Sequence, residues 1–241
     1  MKISTVLTKV TENDLVDGML VIPSGITHII SMPEIRRNIE GIFIPNTVEV
    51  IAGDAFKDCE NLKQVKFQSN SQLTEIGKSA FENCSSLKSI TIPSSVEKMG
   101  DYCFMGCRLE EVSFQENSNL RQMGMACFAE CSHLKEINLP DVNKISAECF
   151  AECESLESFN IPSSVEQINV GGFFKCHQLR CVNFDENSEL SVIKRDAFKY
   201  CGSLSKMDIP SSIKKIEKDA FYGTELEDEM CDCSFDKNFK L

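Results

Sequence analysis

The chain lacks a long apolar stretch. No run approaches the roughly 18 consecutive apolar residues that a membrane-spanning helix needs, so we predict no membrane insertion. The N-terminal residues also lack the uninterrupted apolar segment of a secretory signal, because Lys2, Lys9, Glu12 and Asp14 interrupt them. We therefore expect a cytoplasmic protein. The alternative, a secreted or cell-surface location, would require a signal that is not present in this chain.

Positive charge is also scarce. The sequence has 25 Lys and Arg residues against 37 Asp and Glu residues, which gives a net charge of −12 and a pI near 4.8. Affinity for nucleic acid depends largely on basic residues that neutralise phosphates, so we predict no nucleic-acid partner. An acidic surface usually keeps a protein soluble and does not by itself identify a partner.

Motifs of catalysis and metal binding are missing as well. The sequence contains no glycine-rich phosphate loop, no ordered Ser-His-Asp set and no carboxylate pair that stands out. Its three histidines, His28, His133 and His177, are far apart in the chain. Cys231 and Cys233 lack the second pair of ligands that a structural zinc site needs. We predict no enzymatic activity, no metal and no cofactor, and leave open whether Cys231 and Cys233 have a role.

One alternative is a thiol enzyme centred on Cys181. A reactive thiol needs a nearby base or positive charge. Arg180 precedes Cys181, but neighbouring side chains on a strand point to opposite faces, and His177 lies four residues earlier. We favour the interpretation that Cys181 has no catalytic role.

What the sequence does contain is a repeat. Eight copies of a pattern of the form Ala/Cys/Gly-Phe-x-x-Cys/Thr occur with their phenylalanines 22 to 25 residues apart. These phenylalanines are Phe56, Phe81, Phe104, Phe128, Phe150, Phe173, Phe198 and Phe221. A fixed period of this length is typical of stacked units that bury an apolar face only against one another. The sequence therefore predicts a solenoid.

Most of the 13 cysteines belong to this repeat. Seven occupy its last position, and Cys103, Cys127 and Cys149 replace the alanine that precedes phenylalanine in other copies. A residue that exchanges with alanine acts as a small buried hydrophobe, as free cysteine does. Ten thiols used for packing favour a reducing compartment over a disulfide framework.

Each unit also contains a strand pattern, as in Leu87-x-x-Ile90-x-Ile92-Pro93. Apolar residues that alternate with polar ones indicate a half-buried strand, and proline ends its pairing. In the segment Ala-Phe-x-x-Cys-x-x-Leu, the apolar spacing fits one face of a short helical turn opposite the strand. The longer sequences after Phe67, Phe114 and Phe184 predict longer edge loops.

Three regions follow from this pattern. Residues 1–41 are expected to form an N-terminal cap with a degenerate first repeat, and residues 42–226 the repeats themselves. Residues 227–241 are rich in acidic side chains and are expected to form a C-terminal cap or tail. Terminal repeats are often atypical because one of their faces meets water.

The full repeat, for which Ser86 to Gly100 followed by Cys103-Phe104 is a good example, resembles the BspA-like (Treponema-type) class of leucine-rich repeats. The resemblance covers about residues 20–226. It implies an α/β leucine-rich-repeat solenoid that is right-handed, with a parallel β-sheet on the concave face and short helical turns on the convex side. It also implies binding of proteins or surfaces, since many members look like adhesins or other surface-exposed interaction proteins.

The polar strand positions are expected to face the concave side. The candidate ligand-binding residues there are Lys66, Lys88, Glu111, Glu136, Asn138, Asn160, Asn183 and Lys206. The three asparagines recur on successive rungs, so they form either a self-satisfied amide ladder or a polar strip for a peptide or glycan. Aromatic anchors are scarce on this face, so the lateral loops are an alternative site.

Together these observations predict a non-enzymatic, protein-binding scaffold of stacked leucine-rich repeats. A protein is the expected partner and a glycan the second possibility. The alternatives are a cell-surface adhesin that binds host matrix or glycan, and a secreted bacterial effector that binds a host protein. The sequence leaves the oligomeric state open.

Overall fold

The computed structural model describes residues 5–7, 11 and 14–228. These residues form a parallel-strand β-solenoid of about nine turns with the leucine-rich-repeat fold. A typical turn contains a strand of four residues, a corner, a strand of two residues and then the Ala-Phe-x-x-Cys segment. The predicted solenoid is therefore confirmed.

The strands are short because each repeat turns a corner after only a few residues. A 3-10 helix at Pro33–Ile35 lies between the first repeats. The strands are β1 (Val6–Leu7), β2 (Leu15–Val16), β3 (Met19–Val21), β4 (His28–Ile29), β5 (Gly41–Ile44), β6 (Val50–Ile51), β7 (Gln64–Phe67), β8 (Glu75–Ile76), β9 (Ser89–Ile92), β10 (Lys98–Met99), β11 (Glu111–Phe114), β12 (Gln122–Met123), β13 (Lys144–Ile145), β14 (Ser158–Ile161), β15 (Gln167–Ile168), β16 (Cys181–Phe184), β17 (Val192–Ile193), β18 (Lys206–Met207) and β19 (Lys215–Ile216).

The strands form two ladders along the solenoid. One ladder contains the longer strands, in the orders β2-β3-β5-β7, β9-β11 and β14-β16-β18. The other contains the two-residue strands, in the orders β1-β4-β6-β8-β10-β12 and β13-β15-β17-β19. Among the described strands all pairs are parallel except the β2–β3 hairpin, which turns at Asp17 and Gly18 with positive φ at both residues.

The interior is built around a column of phenylalanine rings. Each of the eight repeat phenylalanines stacks on the next one, with ring centroids 5.1 to 5.7 Å apart. Phe128, in the middle, is fully buried between Phe104 and Phe150. Leucine, isoleucine and valine from both ladders complete one continuous core. Each repeat thus contributes one apolar layer, as the sequence predicted.

The predicted short helical turns are not supported, because the Ala-Phe-x-x-Cys segments are extended series of tight turns. In every copy, the residue before the Ala-Phe pair and the residue before the cysteine have positive φ, as at Asp54 (56°) and Asp58 (58°). A left-handed residue at every fourth position prevents an α-helix from forming. The prediction of short helical turns on the convex side, and with it the helical part of the α/β class, is therefore wrong.

The hydrogen bonds of these segments explain why the backbone prefers this form. The amides of Asp54, Phe56 and Asp58 donate to carbonyls of the next repeat at 2.8 to 2.9 Å. The intervening amides close turns within the repeat, as from Cys59 to the carbonyl of Phe56 at 3.2 Å. Alternate amides thus join neighbouring repeats and cannot form helical bonds. Phe and Cys still face inward, which is why their spacing resembled one helical face.

The cysteines confirm their predicted role as packing residues, and the structure shows what they add. Eleven free cysteines lie among the described residues, and all except Cys181 are buried. The thiol of Cys131 donates to the carbonyl of Phe104 at 3.3 Å, and that of Cys153 to the carbonyl of Phe128 at 3.2 Å. The same bond recurs in four other repeats. These six thiols therefore also join their repeats to the preceding ones.

Both strand ladders are interrupted in the middle of the chain, and the longer-strand ladder is also interrupted between β7 and β9. Within residues 14–228, β12 and β13 are not paired. In the longer-strand ladder, the only recorded pairing between β11 and the following repeat is an isolated bridge from Val112 to Ile137. The phenylalanine column continues through this point, so the interruption is confined to the strand side.

Candidate functional site

All eight residues predicted on the sheet face are exposed. We call this surface the long-strand face; it consists of the outward positions of the longer strands. Lys66, Glu111, Asn160, Asn183 and Lys206 lie on strands, and Lys88 immediately precedes β9. Glu136 and Asn138 lie outside the named strands, in the repeat where the ladder is interrupted. The face is therefore present, but the strand pairing beneath it is interrupted at these two residues and between β7 and β9.

The asparagine ladder forms over two of its three rungs. Asn160 and Asn183 are directly opposite in register, and Nδ2 of Asn183 donates to Oδ1 of Asn160 at 3.0 Å. Asn138 precedes them in a segment that is not paired as a strand. The amide ladder that the sequence suggested therefore uses one N–H of Asn183 and the side-chain oxygen of Asn160. The other side-chain donors and acceptors of these two residues remain at the exposed surface.

Charges at the edge of the long-strand face pair with each other across repeats. Lys88 contacts Glu110 at 3.1 Å, and Lys63 contacts Glu40 at 2.7 Å. The hydrogen bond and charge of Lys88 lower the pKa of the Glu110 carboxyl. Exposed pairs of this kind contribute little to stability. They do mean that a ligand would have to compete with Glu110 for Lys88.

Aromatic side chains are concentrated on the opposite side of each repeat, which the sequence analysis missed. The outer surface of the Ala-Phe-x-x-Cys segments carries what we call the turn-face stripe: Tyr102, Met105, Ala129, Ala151, Phe174, Tyr200 and Tyr222. Phe174 meets Tyr200 edge to face at 5.8 Å, and Tyr200 meets Tyr222 at 5.6 Å. Tyr200 and Tyr222 are 41% and 46% exposed.

A signal for this stripe was available in the repeat. The residue directly after the repeat phenylalanine points outward, and it is charged in several copies, as at Lys57, Glu82 and Lys199. In the four central copies it is Met105, Ala129, Ala151 and Phe174. A loss of charge at one outward position over consecutive repeats indicates a local apolar surface.

The stripe contains a groove with an acidic border. Its volume is about 380 Å³, and alanines 126, 129 and 151 form its floor between larger side chains. The carboxylates that line it are Glu130, Glu148, Glu152 and Asp196. Glu152 is paired with Lys175 at 2.8 Å and Asp196 with Lys199 at 3.1 Å, whereas no described cation pairs with Glu130 or Glu148. The groove is thus apolar at its base and negative at its edge.

The described residues offer little for catalysis or metal binding. They contain no group of three or more His, Cys, Asp or Glu side chains that could hold a metal ion. Cys181 is half-buried on β16, opposite Ser158 and Lys206 in register. Cys231 and Cys233 lie outside the described residues. A helix of the length and apolarity needed to span a membrane is absent from the part of the chain that the structure describes.

Comparison with protein families gives a specific match. The model of the BspA type leucine rich repeat region matches in six copies, over residues 35–143, 67–180 and 143–235. A comparison with curated protein sequences gives no significant match.

Solved structures show the same fold at low sequence identity. A leucine-rich repeat protein from Bacteroides ovatus is 24% identical with a TM-score of 0.72, and the match covers 88% of this chain and 55% of that one. This chain thus spans about half the length of that relative. The pneumococcal vaccine antigen PcpA is 22% identical with a TM-score of 0.58, over 90% of this chain and 67% of that one. A leucine-rich repeat protein of T. pallidum is 22% identical with a TM-score of 0.53, over 78% of each chain.

Proposed function

We propose that this chain, which belongs to the BspA-type leucine-rich-repeat family, is a non-enzymatic scaffold that binds another protein. Repeat scaffolds of this kind position surface residues on a rigid stack, so the function depends on which surface is suited to a partner. The observation that carries the proposal is the turn-face stripe. Its exposed aromatic side chains are the residue types that most often dominate protein-binding energies.

The groove indicates the chemistry of the partner. An apolar side chain would fill the space above Ala126, Ala129 and Ala151, where it would replace water at an apolar floor. Glu130 and Glu148 at the border favour Lys or Arg beside that side chain. We therefore propose a polypeptide segment in which an apolar residue is flanked by basic residues.

The long-strand face is a second proposed contact surface, with the eight residues predicted from the sequence. It is polar and partly self-paired, as the Asn160–Asn183 and Lys88–Glu110 contacts show. Such a surface supports specificity or glycan contact more readily than tight protein binding. Two separable surfaces allow a direct test of which one binds.

The test compares three forms of the protein. Phe174→Ser with Tyr200→Asn removes two aromatic rings from the stripe; asparagine tolerates the positive φ of Tyr200 (62°). Asn138→Arg with Asn160→Arg and Asn183→Arg alters the long-strand face instead. Candidate partners are captured from a cell lysate, identified, purified and then titrated against all three forms, whose folding is checked by circular dichroism.

We expect the purified partner to bind wild type and the asparagine variant with similar affinity, and the Phe174/Tyr200 variant at least tenfold more weakly. Charge reversal by Glu130→Lys with Glu148→Lys is expected to weaken the same partner. Loss of binding only in the asparagine variant would instead assign the site to the long-strand face. Equal binding by all forms would overturn both assignments.

A second candidate is an adhesin on a cell surface. The cytoplasmic location that the sequence predicts finds no support in the comparisons, whereas one structural relative is described as a vaccine antigen. The buried free thiols favour a reducing compartment, so the two observations point in different directions. Antibody labelling of intact cells that express the native gene would distinguish them. Labelling without permeabilisation would support the adhesin.

A further inference from the structure

One repeat is shorter than the others at its corner, and a cleft lies beside it. The corner joins the second apolar residue of the longer strand to the next buried Val, Ile or Leu. These two residues are four or six positions apart in the other repeats, but Leu139 and Val142 are only three apart. In repeats with Pro-x-x-Val, the valine amide bonds back to the proline carbonyl, as from Val96 to Pro93 at 3.1 Å. With one residue between Pro140 and Val142, this turn cannot form.

A second link between repeats changes at the same position. In four other repeats the residue before the corner valine or isoleucine is Ser or Thr, whose hydroxyl donates to the preceding repeat, as from Ser95 to the carbonyl of Leu73 at 2.8 Å. Here the residue is Asp141, whose ionised carboxylate has no proton to donate. Five residues further along, directly after β13, the hydroxyl of Ser146 donates to the carbonyl of Met123. In other repeats a backbone amide makes that bond, as from Gly124 to Met99.

The missing corner therefore coincides with the gap between β12 and β13. A cleft of about 500 Å³ lies there, within the size range of small-molecule sites. Its lining contains the side chains of Lys78, Lys98, Arg121 and Lys144, together with Glu75 and Asp101. A positively charged cleft is unexpected in a chain with a net charge of −12.

The two acidic side chains are already engaged. Glu75 pairs with Lys98 at 2.9 Å, and Oδ1 of Asp101 accepts a hydrogen bond from the amide of Met125 at 2.7 Å. Lys78 lies over the ring of Tyr102 at 5.7 Å. Among the described residues, neither Arg121 nor Lys144 has a carboxylate within ion-pair distance. Glu97 lines the adjoining depression beside Arg121, but the cleft itself retains an excess of positive charge.

We propose that this cleft binds a small, multiply charged oxyanion of the phosphate or sulfate class. Arg121 supplies a planar guanidinium that can hold two oxygens at once, and Lys144 and Lys78 supply point charges around it. The cleft shares no lining residue with the groove of the turn-face stripe or with the eight residues of the long-strand face, so the proposal does not depend on the protein partner proposed above.

Isothermal titration calorimetry with sodium pyrophosphate, at constant ionic strength, tests the proposal. A parallel titration with sodium sulfate shows whether the cleft binds a phosphate-class or a sulfate-class oxyanion. We expect Arg121→Gln with Lys144→Gln to weaken pyrophosphate binding at least tenfold. The matched control, Lys214→Gln with Lys218→Gln, removes the same charge from exposed positions and is expected to change the Kd less than twofold. Equal weakening in both variants, or no binding by wild type of either anion, would overturn the proposal.

A second variant tests the geometry while every cation stays in place. Insertion of one serine between Asp141 and Val142 restores the corner length of the Pro-x-x-Val repeats. We expect the inserted residue to allow the corner to close, so that β13 pairs with β12 and pyrophosphate binding falls at least tenfold. A folded insertion variant that binds pyrophosphate as well as wild type would refute the idea that the short corner creates the site.

Discussion

The two sides of each repeat are joined to their neighbours in different ways, and one side is more continuous than the other. On the turn side, the bonds that join repeats persist where the strand ladders are interrupted: the Phe128 amide donates to the carbonyl of Cys149 at 2.9 Å. At the same level, the rings of Phe128 and Phe150 are stacked with centroids 5.7 Å apart. On the strand side, β12 and β13 are unpaired within the described residues.

The difference indicates which side maintains the stack. The stacked rings recur in all eight copies and the thiol hydrogen bond in six of them, whereas the strand side tolerates a shortened corner at Pro140 to Val142. The cleft can therefore open on one side without dividing the core into two parts. The comparison predicts that changes on the turn side cost more stability than equivalent changes on the strand side.

The largest expected effect is alkaline unfolding through the buried thiols. Burial raises the pKa of the Cys59 thiol to about 12, from an ordinary value of 9.0. Burial also raises the pKa of Cys84, Cys127, Cys131, Cys149, Cys153 and Cys176. The unfolded chain releases these protons above pH 9 while the folded chain keeps them. Stability is therefore complete below pH 9 and is lost as the pH rises from 9 towards 12.

Each such thiol is expected to cost about 1 kcal/mol of unfolding free energy at pH 10, which lies above its pKa in the unfolded chain. Together they are comparable with the whole stability of a typical domain, about 5–15 kcal/mol. Urea unfolding at pH 8, 9 and 10 under reducing conditions measures the loss. Cys176→Ala removes one of these thiols, so the loss of unfolding free energy between pH 8 and pH 10 should be smaller by the contribution of one thiol. An unfolding free energy that stays constant between pH 8 and 10 would contradict this prediction.

Truncation of a ring in the column is the next largest effect. Phe128→Ala removes a fully buried ring from between two others and is expected to cost about 3–5 kcal/mol. Phe114→Ala is the matched control, because Phe114 is a half-buried phenylalanine on the strand side. We expect its loss to be less than half as large in urea titrations. A loss for Phe128→Ala below about 1 kcal/mol would contradict the layered core.

A strand-side change can still be costly where backbones approach closely. A Cβ at Gly100 would lie 2.5 Å from the Lys78 nitrogen and 2.6 Å from the Gly77 carbonyl carbon, so backbone would have to move. We expect Gly100→Ala to cost about 1–3 kcal/mol in thermal or urea unfolding, as overpacking usually does. Gly202→Ala is the control, because nothing lies within 4 Å of the added atom. If both substitutions have the same effect, the close contact is not a constraint.

The repeat predicted most of the fold, because the residues that build it recur. Phe128 and Cys131 occupy the same environment as their counterparts in other copies, so spacing alone indicates their burial. The turn conformation was not predictable in this way. An apolar residue at every third or fourth position fits a helix and also fits turns whose amides bond to the next repeat, as that of Asp54 does. Whether the segment forms a helix or a series of turns depends on hydrogen bonds to the neighbouring repeat. The spacing of residues within one repeat does not show those bonds.

The candidate sites were predicted less completely, because they depend on departures from the repeat. The exposure of Asn160 and Asn183 follows from strand alternation, whereas the turn-face stripe depends on which outward positions lost their charge. For the cleft, the departure in the sequence is the single residue missing before Val142. Its effect on β13 requires knowledge of the bonds that the corner normally makes, and these are visible only in three dimensions.

The smallest expected effect is on the exposed asparagine pair, where the strand side can be compared with itself. Asn160→Ala removes the acceptor of a 3.0 Å bond from Asn183, and cross-strand pairs of this kind are worth roughly 0.2–1 kcal/mol. Asn138→Ala changes the same repeat position in the interrupted segment, and we expect no measurable loss in urea unfolding. If Asn138→Ala costs as much as Asn160→Ala, the ladder continues through the interruption in solution. In that case the links between repeats on the strand side would be nearly as continuous as those on the turn side.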